Sequence, residues 1–330
     1  MKKAAVSSIL IVVALLTLAL IAGAQQPAKI PRVGILFIGG RDQPHLEAFK
    51  QGLRERGYTE GKNIVLDYRY AEGNVDRLPS LAAELVQLNV DVIVTTSGNS
   101  ARAARQATRA IPIVLTTGAD PVKTGLAESL AKPGGNVTGL SIIEEDLSGK
   151  RVEILKETFP KMTRVAYLWN PVAVAYSASG NLSYDQVEKA TKAVGVQLLS
   201  YKVSSLAEIK KAFADMPKVR PHALVVLQSP LMTLNSKRIV ELALEQHLPG
   251  MYPSNQFAQE GGLMAYGPVI ADLYRRAATY VDKILKGTKP TELPIEQPMK
   301  FELVINLKTA KQIDVTIPPN VLARADKVIK

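Results

Sequence analysis

The chain contains no cysteine. That excludes disulfides, thiolate zinc sites, a cysteine nucleophile and a lipid attached through a lipobox cysteine. Its hydrophobic cores alone must hold the fold. Histidine is scarce: His45, His222 and His247 fall on different expected elements, without metal-ligand spacing, so structural or surface roles suit them. Acidic residues are outnumbered, 30 against 41 lysines and arginines, for a formal charge of +11. The basic residues, among them Arg54, Arg56, Arg102, Arg105, Lys210 and Lys211, are interleaved with acids along expected helices. They read as solvated faces, with attraction to an anionic envelope surface as a further use. No recognition-helix or aromatic RNA-binding motif is present, so nucleic acid is not an expected partner. G-x-S-x-G, H-E-x-x-H, the Walker loop and G-x-G-x-x-G are also missing. A secreted enzyme is therefore a poor reading, and no cofactor or metal is expected.

What is present starts with an uncharged apolar run over residues 4–21, behind Lys2 and Lys3 and closed by Ala22-Gly23-Ala24. This reads as a secretory signal peptide over residues 1–24, with Gln25 as the first mature residue. A retained anchor is the alternative, because the run approaches bilayer thickness. The small-residue end and Pro27 favour cleavage. The expected location is the periplasm, in soluble form and without recourse to ATP or NAD. Cleavage would lower the net charge by two. The remainder exceeds one average domain and suits two lobes.

Beyond the leader, short β-rich runs alternate with amphipathic helical segments. Strands are expected at 33–37, 64–70, 92–95, 113–115 and 137–140, and again at 165–169, 197–201, 223–227, 251–252, 263–266 and 301–305. Helices are expected at 43–56, after a cap at Asn74, at 100–109, 121–130, 147–158, 184–194 and 236–247. Ser205-Leu-Ala-Glu208 reads as a capping box, and Pro268 suits the first turn of a helix ending near Gly287. The Pro-rich stretch 289–298 reads as extended. Two consecutive sets of this rhythm predict an α/β protein with two doubly wound parallel-sheet lobes.

Ligands of open parallel sheets bind beyond the carboxyl ends of the strands, at the switch point. The loops there are rich in Gly, Thr, Ser and Asn. In the first set they carry Phe37, Gly39, Thr96, Ser97, Gly98 and Asp120; in the second, Asn170, Gln228 and Tyr252. Thr96, Ser97 and the amides opening the next helix suit a carboxylate or other small anion; capping alone is the plainer role for Ser97. Asp120 before Pro121 is either a cap or an ammonium partner. Trp169 suits a core. Tyr266 suits a hinge or the cleft. The long connection over 170–183 suits a cleft cover.

The junctions carry a resemblance. The stretches Leu46-Glu-Ala-Phe-Lys-Gln-Gly-Leu-Arg-Glu-Arg-Gly-Tyr58, Arg77-Leu-Pro-Ser-Leu-Ala-Ala-Glu-Leu85 and Lys132-Pro-Gly-Gly-Asn-Val-Thr-Gly-Leu140 contribute to it. So do Ser148-Gly-Lys-Arg151, Leu168-Trp-Asn-Pro171, Gly261-Gly-Leu-Met-Ala-Tyr-Gly267 and Pro298-Met-Lys-Phe-Glu-Leu-Val-Ile-Asn-Leu-Lys-Thr-Ala310. In that order, over essentially the whole chain after the leader, they resemble the ABC-transporter substrate-binding proteins of the tryptophan/tyrosine-type family. The resemblance implies a type I periplasmic-binding-protein fold, two lobes joined by three crossovers. Lobe one would take residues 30–141 and 258–287, lobe two 142–257 and 288–330. It implies a monomer that closes on a small-molecule solute and delivers it to a membrane permease. The expected solute is an amino acid or small carboxylate. A sensory receptor of the same fold, signalling to a chemoreceptor or sensor kinase, is the alternative.

Overall fold

The computed structural model describes residues 29–41, 45–118, 120–142, 144–171 and 182–330. The expected leader and most of the 170–183 connection lie outside the described residues. Lobe one contains strands β1 (Arg32–Phe37), β2 (Val65–Tyr70), β3 (Val92–Thr95), β4 (Ile113–Leu115) and β5 (Val137–Gly139). They form one parallel sheet in the order β2-β1-β3-β4-β5. Lobe two contains β6 (Arg164–Trp169), β7 (Gln197–Lys202), β8 (Ala223–Val226), β9 (Gly250–Tyr252), β10 (Met264–Pro268), β11 (Phe301–Asn306) and β12 (Lys327–Ile329). Its order is β12-β11-β10-β9-β8-β6-β7, parallel except where β10 meets β11. Strands β3 and β8 are buried along their whole length, as expected where both faces of a sheet are covered.

The covering helices are α1 (Leu46–Arg54), α2 (Leu78–Gln87), α3 (Gly98–Ala107), α4 (Glu144–Thr158), α5 (Leu182–Ala193), α6 (Leu206–Val219), α7 (Pro230–Leu234), α8 (Ser236–Glu245), α9 (Asn255–Gln259) and α10 (Ile270–Leu285). Each lobe has two hydrophobic clusters; in lobe one Phe37, Val94 and Tyr274 share the first, and Leu36, Ile93 and Leu85 the second. Helix α10 packs on α1, and Gly52 permits the close approach. A β-carbon there would stand 2.4 Å from the Arg275 carbonyl oxygen.

The chain crosses between the lobes three times: after β5, after β10 and before β11. Pairing moves two of the expected boundaries. Residues 264–268, assigned by sequence to lobe one, form β10 of the lobe-two sheet. Part of the Pro-rich stretch, assigned to lobe two, runs beside β5: the Thr138 hydroxyl donates to the Leu293 carbonyl at 2.7 Å and Leu140 bridges Glu296.

Two expected helix features are corrected. Residues 121–130 form turns rather than a helix. The Asp120 carboxylate accepts from the Val122 and Lys123 amides at 2.9 and 3.2 Å, and Gly125 turns left-handed at φ +70° before a second turn can propagate. Pro268 ends β10, and α10 opens after Val269 instead.

Candidate functional site

The switch point of lobe one lies between β1 and β3, because β2 and β3 flank β1 on opposite sides. In lobe two it lies between β6 and β8. The carboxyl ends of these strands hold most of the residues singled out by sequence.

In lobe one the loops after β3 and β4 are stapled together. The Thr117 hydroxyl donates to the Thr96 carbonyl at 3.0 Å, and the Thr116 hydroxyl to the Thr95 carbonyl at 3.1 Å. The Ile142 amide donates to the Gly118 carbonyl at 2.8 Å, which ties the first crossover to the same shelf. Ser97 caps α3: its hydroxyl accepts from the Ser100 amide at 3.1 Å and bonds the Ser100 hydroxyl at 2.9 Å. Its side chain is thus engaged locally, while Gly98 places the first turn of α3 beside Gly118, as backbone on backbone. Free first-turn amides and partial positive charge are the general property of such an end.

Asp120 is engaged in its own turn and lies 3.8 Å from the Lys123 ammonium. Phe37 is fully buried and stacks on Tyr70 with ring centroids 5.1 Å apart. Gly39 accepts from the amide of Glu72, a residue held at φ +53°. Neighbouring Gly40 has no room for a side chain: a β-carbon would stand 2.5 Å from the Glu72 carboxylate.

In lobe two the Asn170 amide donates to the Val203 carbonyl at 3.0 Å. Trp169 packs in the core, donates to the Ser200 hydroxyl at 2.8 Å and faces Tyr184. Tyr252 is buried in the other cluster, stacked on Phe257 at 5.1 Å, and burial raises its hydroxyl pKa. Phe37 and Tyr252 therefore stand in lobe cores rather than on an accessible wall. Gln228 differs from both. Its amide nitrogen donates to the Thr233 hydroxyl at 3.2 Å, while its carbonyl oxygen is buried and accepts nothing among the described residues. Tyr266 is half-buried and packs against core clusters of both lobes.

Two contributors were missed by the sequence reading. Tyr274 of α10 lies beside Thr96 and Thr116, and burial pushes its pKa up to about 12. The His45 ring lies 5.6 Å from it, its pKa lowered by burial. The available signal was the stripe Leu273, Tyr274, Ala277, Ala278 and Val281 on one face of α10. Arg151 of α4 is fully buried; its Nε donates to the Tyr266 carbonyl at 2.8 Å and Nη2 to the Pro253 carbonyl at 3.3 Å. Gly267 beside it leaves space, since a β-carbon there would stand 2.0 Å from the Pro253 oxygen. Arg151 shares a stripe with Leu147 and Leu155, and a cation on an apolar stripe was the overlooked signal.

The rims approach each other across the cleft. Leu234 Cδ1, from α7, lies 3.3 Å from the position of a Gly73 β-carbon, in the turn after β2. Among the described residues no cluster of three or more His, Asp or Glu side chains suits a metal ion. No described helix is long and apolar enough to cross a membrane.

The family model for ABC transporter substrate binding proteins matches residues 40–329. A tyrosine-binding protein of Clostridioides difficile (strain R20291) is 28% identical over 278 residues, spanning 83% of this chain and 78% of that protein. The crystal structure of a conserved domain protein from Vibrio cholerae O1 biovar El Tor superposes with a TM-score of 0.83 at 29% identity, covering 91% of this chain and 100% of that one. The structure of an ABC domain in complex with L-Trp from Streptococcus pneumoniae gives a TM-score of 0.81 at 24% identity, covering 91% and 99%.

Proposed function

Since the chain belongs to the ABC transporter substrate-binding protein family, we propose that it is the periplasmic receptor of an ABC import system. It binds an amino acid between the lobes, closes on it and presents it to a membrane permease. The approach of Leu234 to Gly73 carries this reading, because it sets rims of different lobes against one another. Closure by ligand requires that the closed state bind more tightly than the open one, and a polar cleft shared by two lobes supplies that difference.

The named ligands of the relatives, tyrosine for one and L-Trp for another, favour an aromatic amino acid. The first-turn amides of α3 and the Thr96 hydroxyl take the carboxylate. The Gln228 carbonyl oxygen accepts from the ammonium, a role for which Asp120 is badly placed by its local bonds. Gly39, buried and bonded to the Glu72 amide, holds the turn after β1 in place, Asn170 positions the lobe-two loop, and Tyr266 lies at the second crossover beside the side chain.

Thermal unfolding of protein stripped of solute by denaturation and refolding tests the reading. Scanned against amino acids, aromatic acids, nucleosides and sugars, it should respond to aromatic amino acids, with about 2.7 kcal/mol of stabilisation at a hundredfold excess over Kd. A response confined to sugars or nucleosides would replace the ligand class. No response to any class would remove the cleft from consideration.

A further inference from the structure

The opposite end of the lobe-one sheet carries a second feature, remote from the cleft loops. The segments entering β4 and β5 border a cavity of about 320 Å³ lined by Arg105, Arg109, Lys289, Thr291, Gly135 and Asn136 among others. Among the described residues three cations line it and no carboxylate does. Arg109 and Lys289 are exposed, so the cavity communicates with solvent. The Arg105 guanidinium is partly enclosed: Nε and Nη1 are buried and have no hydrogen-bond partner among the described residues. Burial, and repulsion from Arg109 after it, lower its pKa. A buried cation without a counter-charge is costly, and buried donors are ordinarily satisfied.

Asn136 adds a selective element. Its Nδ2 donates to the Thr108 and Ile111 carbonyls at 3.2 and 2.7 Å, which fixes the orientation of the amide. The remaining atom, Oδ1, is a buried acceptor with no donor among the described residues. Guanidinium and ammonium groups call for an oxyanion, and Arg binds tetrahedral oxyanions with directed, charge-assisted hydrogen bonds. A neighbouring acceptor calls for an oxyanion that brings its own hydroxyl. Inorganic phosphate carries one at neutral pH; sulfate and phosphodiesters do not, and a phosphomonoester, with its second pKa at about 6, is mostly a dianion without one.

We propose that this cavity is a second ligand site, specific for inorganic phosphate, which keeps a hydroxyl at neutral pH. Arg105 and Arg109 clamp its oxygens, Lys289 supplies further charge at the mouth, and Asn136 Oδ1 accepts from the P–OH. The proposal does not depend on what the cleft binds.

Calorimetric titration of the full chain with inorganic phosphate at pH 7, with sulfate and glycerol 3-phosphate as controls and chloride holding ionic strength constant, tests it. Saturable binding of inorganic phosphate is expected, with sulfate and glycerol 3-phosphate at least about tenfold weaker. Arg105→Gln should weaken phosphate binding at least about tenfold. It should also raise the unfolding midpoint in chloride by removing an unpaired cation, a readout that separates loss of the site from loss of the fold. Lys289→Gln, at an exposed position, should weaken binding by a few-fold without changing the midpoint. Binding of an amino acid in the cleft should be unchanged in both variants. Absence of saturable heat with inorganic phosphate would overturn the proposal, as would undiminished binding by Arg105→Gln. Equal sulfate affinity would overturn the role of Asn136. Sedimentation with phosphatidylglycerol vesicles that phosphate does not displace would replace the site with a membrane-facing patch.

Discussion

Leu234 and Gly73, from different lobes, meet across the cleft, with Leu234 Cδ1 3.3 Å from where a β-carbon on Gly73 would stand. Gly73 holds φ +80°, a conformation that favours glycine, so the turn presents bare backbone to the leucine. Leu234 remains 51% exposed, so its contribution to closure is modest. Leu234→Asp should weaken amino-acid binding by about three- to tenfold through loss of apolar burial in the closed state, with the unfolding midpoint of ligand-free protein unchanged. Calorimetry against differential scanning of the same preparation checks it.

Arg151 is a buried cation whose donors serve the carbonyls of Tyr266 and Pro253. Arg151→Met leaves those carbonyls without that donor and should cost about 2–4 kcal/mol in urea unfolding. Arg151→Lys, which keeps the charge but loses the planar fork, should recover only part of the loss.

Gln228 and Ser97 separate binding from capping. Gln228→Ala removes a buried acceptor without a partner and should weaken ligand binding by about tenfold while leaving stability nearly unchanged. Ser97→Ala removes a helix cap and should cost about 1 kcal/mol of stability whether or not ligand is present. Paired titrations and melts of both variants distinguish the two roles.

His45 predicts a pH dependence. Burial holds its folded pKa below the ordinary 6.5. Above about pH 6.5 both states are neutral at this residue and it contributes no slope. As pH falls below that value the unfolded chain binds a proton that the folded chain resists, so stability declines toward the folded pKa. The urea midpoint should therefore fall from pH 7.5 to 5.5 more steeply in the wild type than in His45→Gln.

The alternation of apolar runs and amphipathic segments made the two-lobed α/β architecture legible, because buried parallel strands and one-sided helices leave different periods in a sequence. Local signals also survived well. Ser97 caps α3, and Ser205 caps α6 with its hydroxyl accepting from the Glu208 amide at 3.2 Å. The reciprocal half differs by one residue: the Glu208 carboxylate accepts from Ser204 at 2.8 Å. What escaped was set by distant partners. Strand β12 exists because Val304–Asn306 offers it an edge, and its three residues carry little pattern of their own. From sequence Pro268 reads as a helix opener, because its pairing with Phe301 cannot be seen locally. Asp120 and Gly125 were visible, yet their joint effect was to end a turn rather than start a helix. Arg151 and Tyr274 reach the site from helices whose stripes looked purely apolar or merely interrupted.

The absence of native cysteine allows the central claim, closure around an amino acid, to be measured directly. Asp76→Cys in lobe one and Lys237→Cys in lobe two, both exposed, give one label on each side of the cleft. Spin labels there report the inter-lobe distance distribution by electron–electron dipolar spectroscopy. The account predicts a broad, longer distribution in stripped protein that collapses to one short distance when tryptophan or tyrosine binds. A distribution that does not change, in a sample whose melting curve registers the amino acid, would contradict it.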